Sequence, residues 1–183
     1  MSRVWTDAYK ADYGEVSLVN MKNIIIAVLA VAVGIVAVVH FYPSEQKKIR
    51  KQFAVLSSEV SKDRSESLLA MAYKTQTLPK LFDANCVITV KAEMIAGSYT
   101  PEEIASLAAR ARAQFSSLTL SFSDLKIELP ARDLAKVDLT AKLTGKAGNG
   151  DGVNDVRELI ATLRKVDGTW LFSAFSEVEV LKK

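Results

Sequence analysis

The stretch LTLSFSDLKIEL, residues 118–129, decides the fold because the alternation of its side chains changes phase once. Apolar and polar residues alternate from Leu118 to Phe122, the pattern slips at Ser123–Asp124, and it resumes at Leu125. A two-residue period predicts a strand with one buried face. A single slip is typical of a β-bulge, which bends a sheet. The stretch therefore predicts a long and curved strand.

Three more strands follow this one along the chain. Apolar residues alternate with Lys, Asp and Thr from Ala135 to Leu143, which predicts a strand with one wet face. The segment ELIATLRKVDGTWLFSAF, residues 158–175, contains Asp167–Gly168, a pair typical of a tight hairpin turn. We expect the last two strands at Val156–Val166 and Thr169–Leu181. Four long antiparallel strands thus close the chain.

Two helices are predicted upstream, between Ser44 and Pro79. The first is capped by Ser44 and carries an apolar stripe that includes Ile49 and Phe53. The second is expected to begin near Asp63, which with Glu66 resembles a capping box. Its inward face is expected to comprise Leu68, Leu69, Ala72 and Tyr73.

A strand and a third helix come before the bulged strand. The segment CVITVKA, residues 86–92, is rich in β-branched residues and predicts the strand. The segment TPEEIASLAARARAQF, residues 100–115, begins with Thr100 and Glu103 in capping-box spacing. We expect Ile104, Leu107, Ala108, Ala111 and Phe115 to be buried in this helix, and Arg110 and Arg112 to point elsewhere.

The order is helix, helix, strand, helix and four antiparallel strands, which is an α+β arrangement with helices on one face of a bent sheet. The capped helix 100–115, the bulged strand 118–129 and the closing hairpin 158–175 together resemble the nuclear transport factor 2-like (NTF2-like) family. The resemblance covers roughly residues 44–181. It implies one domain over 43–183, with a cone of about three helices on a curved antiparallel sheet. This family contains both enzymes and non-catalytic binding or scaffold domains, so the resemblance leaves function open.

An apolar run precedes the domain. Residues 24–39 carry no charge, and an α-helix needs about 20 apolar residues to span a bilayer. We expect a single transmembrane anchor at 23–42 after a tail at 1–22. A cleaved signal peptide is the rival interpretation, because Met21, Lys22 and Asn23 before the apolar run resemble the start of one. Whether translation starts at Met1 or Met21 stays open.

Charge and cysteine content bear on location and partners. Four basic residues follow the apolar run directly: Lys47, Lys48, Arg50 and Lys51. They favour either contact with anionic lipid or a solvated helix face, and the two alternatives stay open. We expect a bacterial inner-membrane protein with a periplasmic domain, although a simple charge count favours a cytoplasmic one. A net charge of +3 is too balanced to indicate nucleic-acid binding, and the single Cys86 forms no internal disulfide.

Chemical motifs are sparse. The only histidine, His40, lies before the domain, so no His-based metal site or Ser–His pair is predicted. No catalytic residue, metal or cofactor is assigned. The candidates to face a cavity of the cone are Tyr73, Asp124 and Glu158. The glycine-rich loop at 145–152 leads into a strand, so we interpret it as a hairpin loop rather than a phosphate site. Cys86 is interpreted as a buried, unreactive thiol.

The last strand suggests self-association. Trp170 and Phe172 are expected on one face, and Leu171 and Phe175 on the other, so that both faces need a cover. These four residues are the candidates for a homo-oligomer interface. Our first hypothesis is a membrane-anchored, non-catalytic binding or assembly (scaffold) domain that self-associates through its sheet. Proteins of a membrane complex are its candidate partners. The alternative is a small-molecule-binding protein or an enzyme of isomerase or dehydratase type that uses the cone cavity.

Overall fold

The computed structural model describes residues 25–26, 28–32, 44–90, 95–148 and 150–178, in two units, Met1–Pro43 and Ser44–Lys183. In the first unit the described residues are helical, and their large apolar side chains are exposed. Among the described residues no helix has both the length and the apolar character to cross a bilayer. Most of the predicted anchor at 23–42, and the whole tail at 1–22, lie outside the described residues, so both stay predictions.

The second unit is an α+β fold in which helices pack on a curved six-stranded sheet. Its helices are α1 (Glu45–Val60), α2 (Leu68–Thr77), a 3-10 turn (Leu78–Leu81) and α3 (Pro101–Gln114). Its strands are β1 (Phe82–Val90), β2 (Ile95–Tyr99), β3 (Phe115–Ala131), β4 (Leu134–Ala147), β5 (Gly152–Val166) and β6 (Thr169–Glu177). The strand order is β2-β1-β6-β5-β4-β3, and only the β1–β6 pair is parallel. The architecture is consistent with the predicted cone.

The bulge predicted in β3 is confirmed. Ser123 pairs with Thr140 and Lys126 pairs with Asp138, so two residues of β3 oppose one residue of β4. Asp124 has a φ of 55°, a left-handed conformation that short acidic side chains tolerate. The resulting bend lets β3 follow α1, and the Arg50 guanidinium donates to the Leu125 carbonyl at 3.1 Å.

Strand β2 and the start of α2 differ from the sequence-based expectation. Strand β2 was not predicted, because its segment IAGSY contains Gly97 and Ser98 and is short, as edge strands often are. Helix α2 begins at Leu68 rather than near Asp63, because the Ser67 hydroxyl caps it by accepting a hydrogen bond from Ala70 N at 3.2 Å. The predicted capping box at Asp63 and Glu66 is therefore wrong.

The space between α1 and the sheet is filled by aromatic and aliphatic side chains. The Phe53 ring lies 5.0 Å from the Phe172 ring and 5.3 Å from the Phe122 ring, both edge-on. Trp170, Val137 and Leu163 are at most 1% exposed in the same cluster. The residues of this core lie between Ile49 and Phe172, within the second unit.

A second bulge, in β6, corrects the predicted facing of Phe175. Thr162 pairs with Ala174 and Leu163 pairs with Phe172, so Ser173 is an extra residue in β6. The extra residue returns Phe175 to the helix-facing side, where its ring lies 5.2 Å from that of Phe172. The one-residue slip moves every later side chain to the other face, which periodicity alone did not reveal.

The Glu45 carboxylate ties the start of α1 to the last hairpin. It accepts from Lys165 Nζ at 2.8 Å and from Trp170 Nε1 at 2.7 Å, and its other oxygen pairs with Lys48 at 2.9 Å. The bond from Lys165, reinforced by Lys48, lowers the pKa of Glu45 to about 2. The first turn of α1 is thereby anchored to β5 and β6.

We expect Glu45→Gln to destabilise the domain in a pH-dependent way. A carboxyl whose pKa is lowered on folding contributes stability above its unfolded pKa, near 4.5, and loses it as the pH falls towards 2. We expect a cost of about 1–2 kcal/mol at pH 7, because a third of the side chain meets water, and almost none at pH 2. Urea unfolding from pH 2 to 7 measures this, with exposed Glu128→Gln as the control; a pH-independent difference would contradict it.

Candidate functional site

A pocket of about 290 Å³ lies between α2 and α3, beside the C-terminal end of α1. Its apolar wall is formed by Met71, Leu78, Ala105, Ala108, Ala109 and Ala113. Its charged wall is formed by Glu59, Lys62, Glu66, Lys74 and Arg112. The four alanines lie on one side of α3, and their short side chains leave the space open. An apolar pocket with a few convergent polar groups is the usual form of a small-molecule site.

An ion-pair cluster around Arg112 forms the polar end of the pocket. The Arg112 guanidinium donates both to the Glu59 backbone carbonyl and to the Glu66 carboxylate. The Lys74 ammonium lies 2.8 Å from the other oxygen of Glu66 and donates to the Ser61 carbonyl at 2.7 Å. Side chains of Arg112 and Glu66 are only 8% and 7% exposed. The cluster therefore joins α1, α2 and α3 through buried charges.

Lys62 and Glu59 are held by separate hydrogen bonds. Lys62 Nζ donates to the Arg112 carbonyl at 3.0 Å and to the Phe115 carbonyl at 2.8 Å, at the end of α3. A cation is favourable there because helix carbonyls leave partial negative charge at the C-terminus. The Thr77 hydroxyl donates to Glu59 Oε2 at 2.6 Å.

The Glu66 carboxylate of the pocket stays charged at neutral pH. Burial by itself raises the pKa of Glu66, but its bonds from Lys74 and Arg112 outweigh burial and leave that pKa below its usual value. Elsewhere, burial raises the pKa of the Cys86 thiol to about 11, as expected for the unreactive thiol predicted from sequence. Neither Glu66 nor Cys86 therefore has a pKa near 7, the range in which a general acid or base works best at neutral pH.

Helix α2, which borders the pocket, presents its apolar residues to solvent. Leu68 and Leu69 are 81% and 82% exposed, Tyr73 is 64% exposed, and none of the residues of α2 is buried. The predicted inward face of this helix is therefore wrong. Hydrogen bonds from Lys74 and Thr77, rather than apolar burial, hold α2 against α1.

Sequence reasoning missed the central residue of this site. Arg112 was expected to point away, yet it is 7% exposed, whereas Ala111 is exposed and Leu107 is 38% exposed. A signal was present, because Arg112 follows Ile104 by eight residues and Ala108 by four, which places all three on one helix face. Arg112 was predicted to be exposed because arginine is charged, although its spacing from Ile104 and Ala108 predicts a buried position.

The three predicted cavity residues lie elsewhere. Tyr73 lies on the exposed side of α2. Asp124 and Glu158 come together on the sheet face opposite the helices, where both are exposed and line a shallow depression with Thr140. Asp124 accepts from the Thr140 hydroxyl at 3.3 Å, and Thr140 pairs with Glu158 across β4 and β5. The carboxylate of Asp124 thus bonds locally at the bulge.

The predicted interface and basic residues are placed as follows. Trp170 and Phe172 are 1% and 0% exposed in the core of this chain, whereas Leu171 and Phe175 are half-buried. Of the basic group, Lys48 pairs with Glu45, and the other three are exposed on α1: Lys47, Arg50 and Lys51. A self-association surface on the sheet would therefore use Leu171 rather than the two buried rings.

Comparisons with known proteins bear on the fold. No protein-family model and no curated protein matches the sequence. A protein of known structure from Kribbella flavida, Kfla4162, superposes with a TM-score of 0.62 and 11% identity, over 76% of this chain and 93% of that one. LinA superposes with a TM-score of 0.60 and 16% identity, over 74% of this chain and 85% of LinA.

A third neighbour is a protein from Novosphingobium aromaticivorans described as a putative scytalone dehydratase, with a TM-score of 0.57 and 14% identity. The match covers 73% of this chain and 82% of that protein. At such identities the likeness concerns the fold alone. The domain has the NTF2-like fold, as the sequence patterns indicated.

Proposed function

We propose that this protein is a non-catalytic binding domain, held at a membrane by residues 23–42, whose binding site is the pocket between α2 and α3. The observation that carries the proposal is the contrast between the charged wall and the alanine wall of this pocket. Its charged groups are engaged in ion pairs and backbone hydrogen bonds, while its alanine wall is open. A site of this kind holds a ligand without offering it a reactive group.

The packing of the domain supports the choice of this pocket. Phe53, Phe172 and Trp170 fill the middle of the cone, where an enzyme of this fold would need an open cavity. The only histidine of the sequence is His40, before the domain. The pocket between α2 and α3, rather than the filled interior of the cone, is therefore the site that we propose for a ligand.

The charges of the pocket favour a small, mostly apolar ligand with a negative group. Lys62, Lys74 and Arg112 face it with three positive charges against the two of Glu59 and Glu66. The ammonium groups of Lys62 and Lys74 each make two of the three contacts that an ammonium can donate. A third donor of each is free to meet a carboxylate.

Native mass spectrometry of the full chain tests the proposal. We expect a co-purifying small molecule, or an added one such as octanoate, to remain bound to the protein. A monomer that carries no ligand and does not bind added octanoate would contradict small-molecule binding.

Filling the pocket is expected to abolish the binding. Ala108 is half-buried on the pocket wall and also packs against the core. Ala108→Leu adds three carbons at this wall, so we expect octanoate affinity to fall about tenfold or more. We expect the free energy of unfolding to fall by about 1–3 kcal/mol, the usual cost of overpacking. Ala111→Leu is the matched control, because Ala111 is exposed on the same helix outside the pocket. Isothermal titration of both variants measures the effect; equal losses would contradict it.

Two other functions keep specific support. Neighbours described as LinA-type dehydrochlorinase and putative dehydratase favour the alternative of a small-molecule enzyme. Self-association through the sheet is favoured by Val87, which is 48% exposed and pairs with Ala174 on the face opposite the helices. A dimer in the native mass spectra would favour the second of these.

A further inference from the structure

We propose that the end of the domain at which α1 begins is a docking surface for an anionic lipid bilayer. This surface, which we call the basal end, consists of the first two turns of α1 and the tips of the β3–β4 and β5–β6 hairpins. The inference rests on the proposed membrane attachment, because only Pro43 separates the proposed anchor at 23–42 from Ser44, where the domain begins.

Contacts between the three parts place them at one end of the domain. Glu45 of α1 binds Lys165 and Trp170, which flank the tip of the β5–β6 hairpin. The backbone N–H of Lys165 donates to the Asp133 carbonyl at 2.8 Å, which joins this tip to the β3–β4 tip. Helix α1 runs antiparallel to β3, since Arg50 meets Leu125 whereas Ser57 meets Leu120. The start of α1 thus lies beside the end of β3.

Basic groups outnumber acidic groups at the basal end. Its basic residues are Lys47, Lys48, Arg50, Lys51, Arg132 and Lys165, and its acidic residues are Glu45, Glu128, Asp133 and Asp167. Glu45 pairs with Lys48 and Lys165, so its negative charge is compensated within the protein. With a rise of about 1.5 Å per residue, Lys47 and Lys51 lie about 5 and 10 Å along the axis from Ser44. The field of an anionic leaflet acts over about that distance, so these charges complement it.

Exposed apolar side chains accompany the charges. Leu129 is 43% exposed at the end of β3, and Val166 is 38% exposed at the start of the β5–β6 turn. The turn itself has Asp167 and Gly168 with φ values of 48° and 82°, so its backbone projects as a tight hairpin. Apolar residues beside basic ones are typical of protein surfaces that enter the headgroup region. The same combination fits nucleic acid poorly, because the domain carries little net charge.

Hydrogen exchange of the full chain in lipid nanodiscs tests the inference. Nanodiscs of phosphatidylcholine alone are compared with nanodiscs that also contain phosphatidylserine. We expect slower amide exchange at both hairpin tips, around 130–133 and 166–169, only with the anionic lipid, and we expect 0.5 M salt to remove the difference, because added salt shortens the Debye length to a few ångströms, about 3 Å at 1 M.

Paired variants identify the responsible charges. The double variant Lys47→Glu and Lys51→Glu is expected to lose the slower exchange at the tips. The matched control, Lys142→Glu with Lys146→Glu, reverses two exposed charges at the far end of β4, about 27 and 40 Å along the strand from Leu134, and is expected to keep it.

The outcomes separate this inference from the proposed anchor. Identical tip exchange in both lipids, or equal effects of the two double variants, would overturn the docking surface. A chain that leaves the nanodiscs in both lipids would overturn the anchor and the docking surface together. Protection that spreads to the far end of β4 would also count against a basal docking surface.

Discussion

Replacing Arg112 with leucine is expected to lower the free energy of unfolding by about 3–5 kcal/mol, the usual cost of removing one partner from a buried ion pair. Arg112 holds the Glu66 carboxylate and the Glu59 backbone carbonyl, and both of its acceptors lie at the junction of α1 and α2. Without the guanidinium, the Glu66 carboxylate, which is 7% exposed in the native structure, keeps only Lys74 as a charged partner. Leucine also opens the polar end of the pocket. Urea denaturation measures the change.

Two further variants separate the ion pair from a general effect of the substitution. Arg110→Leu is the matched control, because Arg110 is exposed on the same helix and donates only within it, to Ser106 at 3.4 Å. We expect it to change stability by less than about 0.5 kcal/mol. The double variant Arg112→Leu with Glu66→Leu should recover much of the loss, since a buried pair is often replaceable by apolar residues. If Arg112→Leu were no costlier than Arg110→Leu, the buried cluster would not exist in solution.

Phe172→Ala is expected to be as damaging, at about 3–5 kcal/mol, because it leaves a cavity in the middle of the core. The Phe172 side chain is fully buried, and its ring lies 5.0 Å from that of Phe53 and 5.8 Å from that of Phe82. Both neighbours are themselves buried, so neither can move outward without exposing its own ring. Thermal unfolding followed by calorimetry gives the measurement.

The control for this prediction is Phe175→Ala, which removes the same ring from a half-buried position in the same strand. We expect a smaller cost, about 1–3 kcal/mol, because less apolar surface is lost from the interior. The pair also bears on self-association. If Phe172 served an interface between subunits, the midpoint of the unsubstituted protein would rise with protein concentration, and Phe172→Ala would weaken that rise. A core role predicts that Phe172→Ala lowers the midpoint by the same amount at every concentration.

Regular patterns in the sequence predicted the fold where one period dominates a segment. The bulge at Asp124 and the turn at Asp167–Gly168 appear in the structure where the pattern placed them. The capping box of α3 at Thr100 and Glu103 is also present, with both reciprocal hydrogen bonds. Each of these features is local, since it depends on the chemistry of a few neighbouring residues and on little else.

The functional site was much less predictable, because its residues are far apart in the chain. Glu59, Lys74 and Arg112 meet only after α1, α2 and α3 have packed together. A charged residue at a helix position normally indicates solvent, so Arg112 was assigned outward although its spacing matched the buried face. The predicted inward face of α2 was wrong for the opposite reason. An apolar pattern shows that a helix has an apolar face, but not that another element covers this face.

The amino-acid sequence by itself predicted an α+β fold with a bent sheet and showed an apolar segment before the domain. It also showed that the single histidine lies outside the domain. Tertiary structure alone decided that aromatic rings fill the cone, that Phe175 turns inward after Ser173, and that a pocket opens against the alanines of α3. The physical reason is range. Periodicity and capping act over a few residues, whereas burial, ion pairing and open space depend on which distant segments come into contact.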